Sequence, residues 1–474
     1  MSSILLTDGY KFSMAEVGWP LRKETFYYTH RKGGASVLPL DVNKFLTNLK
    51  PKARKEDYEY LKSCEYGMGS GFAAAMEEMF TVNAIPPGAV FYDREPVFSI
   101  TGPSALVSWF EPLALQLHYR IQVASEALRE PGKKVNIGWV TCEAQKRIIL
   151  ETLDAVRAHA PEIKVEEELY FNYVKNRLRE ILDVVHDPDR IFEVGLRSAT
   201  CLEQHLIALK ACKELGITRT SNVLGAAKLG MIPVGTMGHE HVQRYGSDEA
   251  AFRAMKDRRP ARSSFLLDTY DVFGSGSDAA IRVMKETPLR KDSVRFDSGN
   301  KWAQLAYLEA RMEENKLSPV YLVEDIGKMD EIVRMEEIRK VLKINDLDVH
   351  YGLGGMIVAD PSMTQFTRNN VAAVYKLCQT GPKATMKFGS EPGGGKESVP
   401  GKPVIWRRAS AEGPIGIIGQ EGEPVAEGYK LLSGQSFTEE WPELPLIFKR
   451  DEQVIYSPET THLRHELRAE HGIA

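Results

Sequence analysis

The sequence predicts an α/β fold in which a parallel α/β barrel is joined by a β-rich region drawn from both ends of the chain. Three observations carry this. From residue 190 onward, seven short apolar runs alternate with helix-like segments, the rhythm of a parallel sheet. Before them, β-branched and aromatic runs bounded by turn residues read as antiparallel strands. After them, a Gly-, Pro- and Lys-rich stretch from Gly381 to Gly401 leads into one more strand, Pro403 to Arg407, expected to fold back on the N-terminal region.

Residues 1–120 are expected to form the N-terminal β-rich domain, with strands at Thr25–Thr29, Ala89–Tyr92 after Pro86-Pro87-Gly88, and Val97–Thr101 before Gly102-Pro103. A polar helix is expected between them, around Val42 to Met79. From about 105 to 180 the pattern turns helical, and Glu151 to Asp183 carries charge at helical spacing. Residues 121–370 are assigned to the barrel. Its strand candidates are Ile191–Leu196, Thr218–Val223, Ile232–Thr236, Ser264–Tyr270, Ser293–Phe296, Val320–Val323 and Val349–Ile357. A closed barrel is expected over an open sheet because closure removes both edges. Residues 371–474 are assigned to the returning C-terminal part.

The composition is that of a globular protein of 474 residues, 43% hydrophobic and 27% charged, with a net charge of −4 and pI near 6.3. That balance gives no bulk attraction for nucleic acid or an anionic membrane, though it leaves room for a local basic pocket. The five cysteines, Cys64, Cys142, Cys201, Cys212 and Cys378, form no C-x-x-C pair and suit a reducing compartment. The N-terminal MSSILLTDGYK has neither the basic region nor the apolar region of a signal peptide, so a cytoplasmic location is expected.

Chemistry is expected where the strands end. Parallel strands deliver the loops at their C-terminal ends to one mouth. Those ends are polar: Glu193 and Arg197, Thr220-Ser221-Asn222, His239, Asp268-Thr269-Tyr270-Asp271, Arg295 with Asp297 and Ser298, and the Gly352-Leu353-Gly354-Gly355 turn. Two arginines, hydroxyls and a glycine-rich turn suit a phosphate or carboxylate, because guanidinium forks match these anions and free amides cradle phosphate oxygens. Asp268 and Asp297 repel phosphate but can accept from ribose hydroxyls or hold Mg²⁺ against a pyrophosphate. A sugar phosphate meets both demands. Lys383, Lys387, Lys396 and Lys402 either close over phosphates or form a solvated basic loop.

Taken in order, Thr7-Asp8-Gly9-Tyr10-Lys11, Glu193-Val194-Gly195-Leu196-Arg197, Thr220-Ser221-Asn222-Val223, Gly235-Thr236-Met237-Gly238-His239, Leu267-Asp268-Thr269-Tyr270-Asp271, Val294-Arg295-Phe296-Asp297-Ser298-Gly299 and Val374-Tyr375-Lys376-Leu377 resemble the motifs of nicotinate phosphoribosyltransferases. The resemblance spans nearly the whole chain. It implies an irregular α/β barrel with a sandwich-like β domain from both chain ends, and a homodimer with shared active sites. It implies transfer of a phosphoribosyl group from 5-phosphoribosyl-1-pyrophosphate to nicotinate with Mg²⁺, assisted by ATP through a phosphorylated histidine. By the same resemblance His239 is that histidine, with Asp268 and Asp297 as its catalytic neighbours. Arg197, Arg295, Asp268, Asp297, Gly354 and Gly355 would hold the phosphoribosyl group, and Tyr10 would reach the pyridine ring from the partner subunit.

The close relative, nicotinamide phosphoribosyltransferase, carries an aspartate where this chain has Ser221, which points to the acid substrate. Val194 stands where the family has an aromatic residue, and Asn300 and the Gly354-Gly355 pair lean toward the nicotinamide branch. Two readings of other classes stand beside these. His239-x-His241 on a strand would put both rings on one face, as in a metal-dependent amidohydrolase barrel; otherwise His241 is a same-face neighbour that orients His239. Cys201, His205 and Cys212 sit on one helix and could be imagined as ligands, but the expected reading is a core or surface helix. A barrel that binds a nucleotide without turning it over is the non-enzymatic alternative.

Overall fold

The computed structural model describes residues 2–260, 263–286, 292–388, 396–408, 415–434 and 454–473. All seven predicted barrel runs contain a strand: Ile191–Glu193, Arg219–Thr220, Ile232–Pro233, Ser264–Leu266, Ser293–Phe296, Val320–Val323 and Val349–Leu353. They form one parallel seven-stranded sheet in which the seventh strand pairs with the first, Tyr351 opposite Ile191, so the sheet curls back on itself. Each is shorter than or equal to its apolar run, since several runs turn into helix or loop at the mouth.

The sheet is a half-barrel and not the closed barrel expected. Among the described residues no pairing joins the third strand, Ile232–Pro233, to the fourth, Ser264–Leu266. The physical reason is local. The third strand is two residues long, and Pro233 has no N–H to donate to a further neighbour. The N-terminal segment packs beside this seam. Gly9 N donates to Ser221 O (2.8 Å), Val223 N donates to Thr7 O (3.1 Å), and the helix Gly9–Val17 follows. Gly235 is glycine because a Cβ there would lie 2.0 Å from Tyr10 N.

The antiparallel region joins both chain ends. Its five-stranded sheet runs Lys383–Ala384, Ala373–Thr380, Lys23–His30, Phe98–Pro103, Thr81–Ala84. Ala373–Thr380 pairs along the whole of Lys23–His30 with a bulge between Leu377 and Gln379. Val90–Phe91 pairs instead with Ser36–Val37 in a separate ribbon. A further sheet holds Lys430–Leu431, Pro403–Arg408, Ile415–Gln420 and Ile455–Tyr456. The single polar helix expected around Val42 to Met79 is three short helices, Val42–Leu49, Lys55–Ser63 and Ser70–Glu77, broken where Pro51 and the glycines Gly67 and Gly69 interrupt the helical pattern. The helix Glu111–Arg129 runs through residue 120, so the boundary drawn there falls inside an element. Part of the Gly381–Gly401 stretch, residues 389–395, lies outside the described residues. No helix among the described residues is long and apolar enough to cross a membrane.

A buried chain of charges ties the two regions together. Lys11 pairs with Glu111 (2.7 Å) and Glu240 (2.5 Å), and Arg244 pairs with Glu240 (2.9 Å) and Glu24 (3.0 Å). Every side chain in it is at most 8% exposed. Truncating one member strands charges in the interior. Arg244→Leu is therefore expected to destabilise the fold by about 3–5 kcal/mol, read as a lower urea midpoint; a loss under about 1 kcal/mol would show that Glu24 and Glu240 find other partners.

Candidate active site

A cavity with about 950 Å³ of empty space opens at the C-terminal ends of the barrel strands. Tyr10, Arg197, Ser221, His239, Arg295 and Asp297 line it, so the structure brings six of the nine predicted residues to one cavity. Asp268 lies immediately behind His239. Gly354 and Gly355 do not line the cavity. They pack against the end of the first strand and the following loop, where a Cβ would come within 2.9 Å of Val194 O at Gly354 and 3.2 Å of Ser198 Oγ at Gly355.

His239 is the first residue of the helix His239–Tyr245, and its ring is boxed in. Nε2 lies 3.0 Å from Asp297 Oδ2, 3.7 Å from Asp268 Oδ1 and 2.5 Å from Lys387 Nζ, while Nδ1 lies 3.2 Å from Thr269 Oγ1. Burial, reinforced by the Lys387 charge, pushes the imidazole down to about 4 against the opposing pull of Asp268 and Asp297. His239 is thus neutral at neutral pH. Burial raises Asp268 and Asp297, but their neighbours prevail and hold both below the usual carboxylate range: the Lys387 charge, then the His239 ring, for Asp268, and the His239 contact, then the Arg295 charge, for Asp297. Ser298 Oγ donates to Asp268 Oδ2, and Asp268 Oδ1 is buried with no hydrogen-bond partner.

A second cluster forms the other end of the cavity. Ser221 Oγ donates to Asp8 Oδ1 (2.7 Å), and Arg197 Nε stands 3.5 Å from Asp8 Oδ2. The Arg197 guanidinium lies 5.7 Å from the centroid of the Tyr10 ring, and the Tyr10 hydroxyl donates to Glu111. Burial raises the Asp8 carboxyl even though Arg197 opposes it. Tyr10 was expected from a partner subunit; it lines the cavity of its own chain, because the backbone bonds from Thr7 and Gly9 fix this segment beside Ser221.

Several expectations are corrected. Glu193 is fully buried and structural, accepting from Gly195 N (2.6 Å), His205 Nε2 (2.8 Å) and Thr220 Oγ1 (2.7 Å). His205 is held by Glu193 and Asn222, so it is not a ligand with Cys201 and Cys212. Asp271 caps a turn by accepting from Phe273 N (3.0 Å). His241 is not a same-face neighbour of His239: Gly238 starts a helix, which turns the second ring into the core to meet Ala251 O (3.0 Å). The strand-borne metal pair of an amidohydrolase is lost with it.

The sequence reading missed two residues. Glu324 directly follows the sixth strand, lines the cavity, and stands 3.9 Å from Arg295; burial pushes its carboxyl up, and Gly352 lacks the Cβ that would lie 2.5 Å from Glu324 Cγ. The strand-end rule that found the others applies to it equally. Lys387, read as part of a lysine loop, is 5% exposed beside His239; nothing in its local sequence signals this.

No family model matches the chain. Its fold is similar to those of solved nicotinate phosphoribosyltransferases from Porphyromonas gingivalis (TM-score 0.57, 18% identity, 84% of this chain and 96% of that one) and Vibrio cholerae (TM-score 0.57, 14% identity, 83% and 89%). The half-barrel with a β-rich partner region is thus a fold that this chain shares with them. Among curated relatives, a nicotinate phosphoribosyltransferase of Mycobacterium tuberculosis is 25% identical over 438 residues, covering 88% of this chain and 79% of the relative, and one of Arabidopsis thaliana is 25% identical over 489 residues, covering 93% and 80%. Both relatives carry the name nicotinate phosphoribosyltransferase, and the chain is similar to them over most of its length.

The histidine gives a pH prediction. Its folded pKa lies below the unfolded value near 6.5, so the unfolded chain binds the proton more readily, and the stability His239 contributes is present above about 6.5 and lost as pH falls toward about 4. An NMR titration of its Cε1–H is expected to show a midpoint near 4. A midpoint near 6.5 would place the ring in water.

Proposed function

We propose that this chain joins nicotinate to 5-phosphoribosyl-1-pyrophosphate, releasing nicotinate mononucleotide and pyrophosphate, and that ATP assists by phosphorylating His239. The observation that carries the reading is the cavity in which a neutral histidine, backed by the buried Asp268, and the ionised Asp297 share the lining with Arg295 and Arg197. In the transfer the ring nitrogen forms a bond to ribose C1 as the C1–O bond breaks, its electron pair leaving on pyrophosphate. Positive character grows on the sugar and negative charge on the leaving group. Asp297 and Glu324 stand where they stabilise the first or accept from ribose hydroxyls, and Arg295 stands where it stabilises the second. Tyr10, with Arg197 over it, offers the flat surface for the pyridine ring.

Mg²⁺ fits the same wall. Asp268 and Asp297 offer hard oxygen ligands, Asp268 Oδ1 is buried without a hydrogen bond, and ligand atoms of His239, Asp268 and Asp297 lie within 4.8 Å of one another. Bound there, the ion would neutralise pyrophosphate charge. The two aspartates are the residues that would hold it. The expected homodimer belongs to this reading and is checked by sedimentation.

A nicotinamide reading has one observation in its favour. Asp8 sits behind Ser221 with Oδ2 accepting no hydrogen bond, and an amide N–H would suit it. Arg197 at 3.5 Å and Ser221 between Asp8 and the cavity favour the carboxylate of nicotinate.

Parallel turnover of nicotinate and nicotinamide, with and without ATP, decides between them. Nicotinate is expected to win, and a nicotinamide preference would reverse the assignment. Ser221→Asp is expected to raise the KM for nicotinate by about tenfold or more, the scale of one repulsive charge contact. His239→Ala is expected to retain some transfer while losing ATP hydrolysis and ATP stimulation; hydrolysis that survives the change would take the phosphoryl group off this histidine.

A further inference from the structure

The position of Lys387 is not used by the transfer reaction and bears on His239 and its neighbour Asp268. Its backbone is fixed on both sides. Lys387 N donates to Ser398 Oγ (2.9 Å), Ser398 N donates to Lys387 O (3.1 Å), and the next residue, Phe388, donates its N–H to Thr269 O (3.1 Å). The peptide that anchors the lysine thus also anchors Thr269, whose hydroxyl faces the other side of the imidazole. The two partners of His239 are held by one piece of backbone.

The imidazole geometry contains a choice. Nε2 has a donor, Lys387 Nζ, at 2.5 Å and an acceptor, Asp297 Oδ2, at 3.0 Å. A neutral ring nitrogen is either protonated or a lone pair, so it cannot satisfy both. An N–H at Nε2 would point toward Asp297 with an ammonium pressed against it. A lone pair at Nε2 would accept from Lys387 and leave Nδ1–H to donate to Thr269 Oγ1 at 3.2 Å. The ammonium has further reason to stay, since Asp268 Oδ2 lies 3.4 Å away.

We propose that Lys387 is a positioning residue that sets the tautomer of His239, holding Nε2 as the lone-pair nitrogen and Nδ1 as the N–H bonded to Thr269. The phosphoryl half of the inference rests on the proposed phosphorylation of His239; the tautomer half does not. When the γ-phosphate of a nucleoside triphosphate enters, the ammonium passes its hydrogen bond from Nε2 to a phosphoryl oxygen. The Nε2 lone pair then forms the N–P bond while the P–O bond to the nucleoside diphosphate breaks with its electron pair. Nδ1 keeps its proton, and Asp268 and Asp297 face the positive charge left on the ring. The lysine thereby supplies both the correct nucleophilic nitrogen and a cation for the transferred group.

The test reads the tautomer without nucleotide. In protein with ¹⁵N-labelled histidine at neutral pH, with the His239 signal assigned through His239→Gln, the wild type is expected to show an unprotonated Nε2 and a protonated Nδ1. Lys387→Met is expected to move the proton to Nε2, facing Asp297, and Lys387→Arg to keep the wild-type pattern. An Nε2–H in the wild type, or an unchanged tautomer in Lys387→Met, would overturn the proposal. Should the methionine variant fail to fold, Thr269→Val supplies the check: with Lys387 in place Nδ1 is expected to stay protonated, and a switch to Nε2–H would assign control to Thr269 and overturn it. Acid-labile labelling of His239 by [γ-³²P]ATP is expected to slow by about a hundredfold in Lys387→Met, the scale of removing one preorganised donor; an unaltered rate counts against the lysine. No label on the wild type, with the tautomer switch intact, supports the positioning role and removes the phosphorylation reading.

Discussion

The buried charge chain from Lys11 through Glu111 and Glu240 to Arg244 and Glu24 is the constraint on which the site depends. Its five members come from four parts of the fold: Lys11 from the N-terminal helix, Glu111 from the long helix Glu111–Arg129, Glu240 and Arg244 from the helix His239–Tyr245, and Glu24 from the strand Lys23–His30. Ser108 Oγ and Thr380 Oγ1 add bonds to Glu240 and Glu24. Buried ion pairs contribute little net stability but are costly to leave half-made, so the network penalises every arrangement in which these elements shift relative to one another. Glu240 follows His239 directly. Fixing one carboxylate fixes the helix that presents the imidazole.

With the frame fixed, the electrostatics of the cavity follow from burial and its exceptions. Two ionised carboxylates beside an imidazole favour its protonation; burial opposes this most, and the Lys387 charge adds to it. The same crowding acts on Lys376, whose ammonium burial and the Lys387 charge push down to about 7. The wall is rich in fixed positive charge at Arg197 and Arg295. Anionic substrates therefore enter a site already organised for them, and little reorganisation remains for the reaction itself.

How much of this could be read in the sequence depended on range. The seven barrel strands were legible because a buried parallel strand is a continuous apolar run, and their polar ends marked five of the cavity residues, Arg197, Ser221, His239, Arg295 and Asp297, while Tyr10 came from the family resemblance alone. The open seam was not legible, since it turns on the two-residue length of Ile232–Pro233, which an apolar run of five residues concealed. His241 was misplaced for a related reason: alternation was carried past Gly238, where the backbone turns helical and sends successive odd residues to different sides. Glu193 looked like a mouth residue and is a buried brace, because only packing reveals that His205 and Thr220 surround it. Lys387 was legible only as one of four lysines that could close over phosphates; its contact with His239 spans 148 positions and depends on a strand that returns from the far end of the chain.

That return makes use of the place where the barrel is open. A closed sheet would put a strand between Ile232–Pro233 and Ser264–Leu266, in the space where the loop to His239 leaves the third strand. The seam instead admits neighbours from outside the barrel. The N-terminal segment brings Asp8 and Tyr10 to Ser221 and Gly235, and the C-terminal segment brings Lys387 to His239 and Asp268. Both chain ends are held in turn by the shared antiparallel sheet, in which Ala373–Thr380 lies against Lys23–His30. The half-barrel alone supplies the acids and the histidine. The groups that orient them come from the segments that the missing strand pair leaves room for.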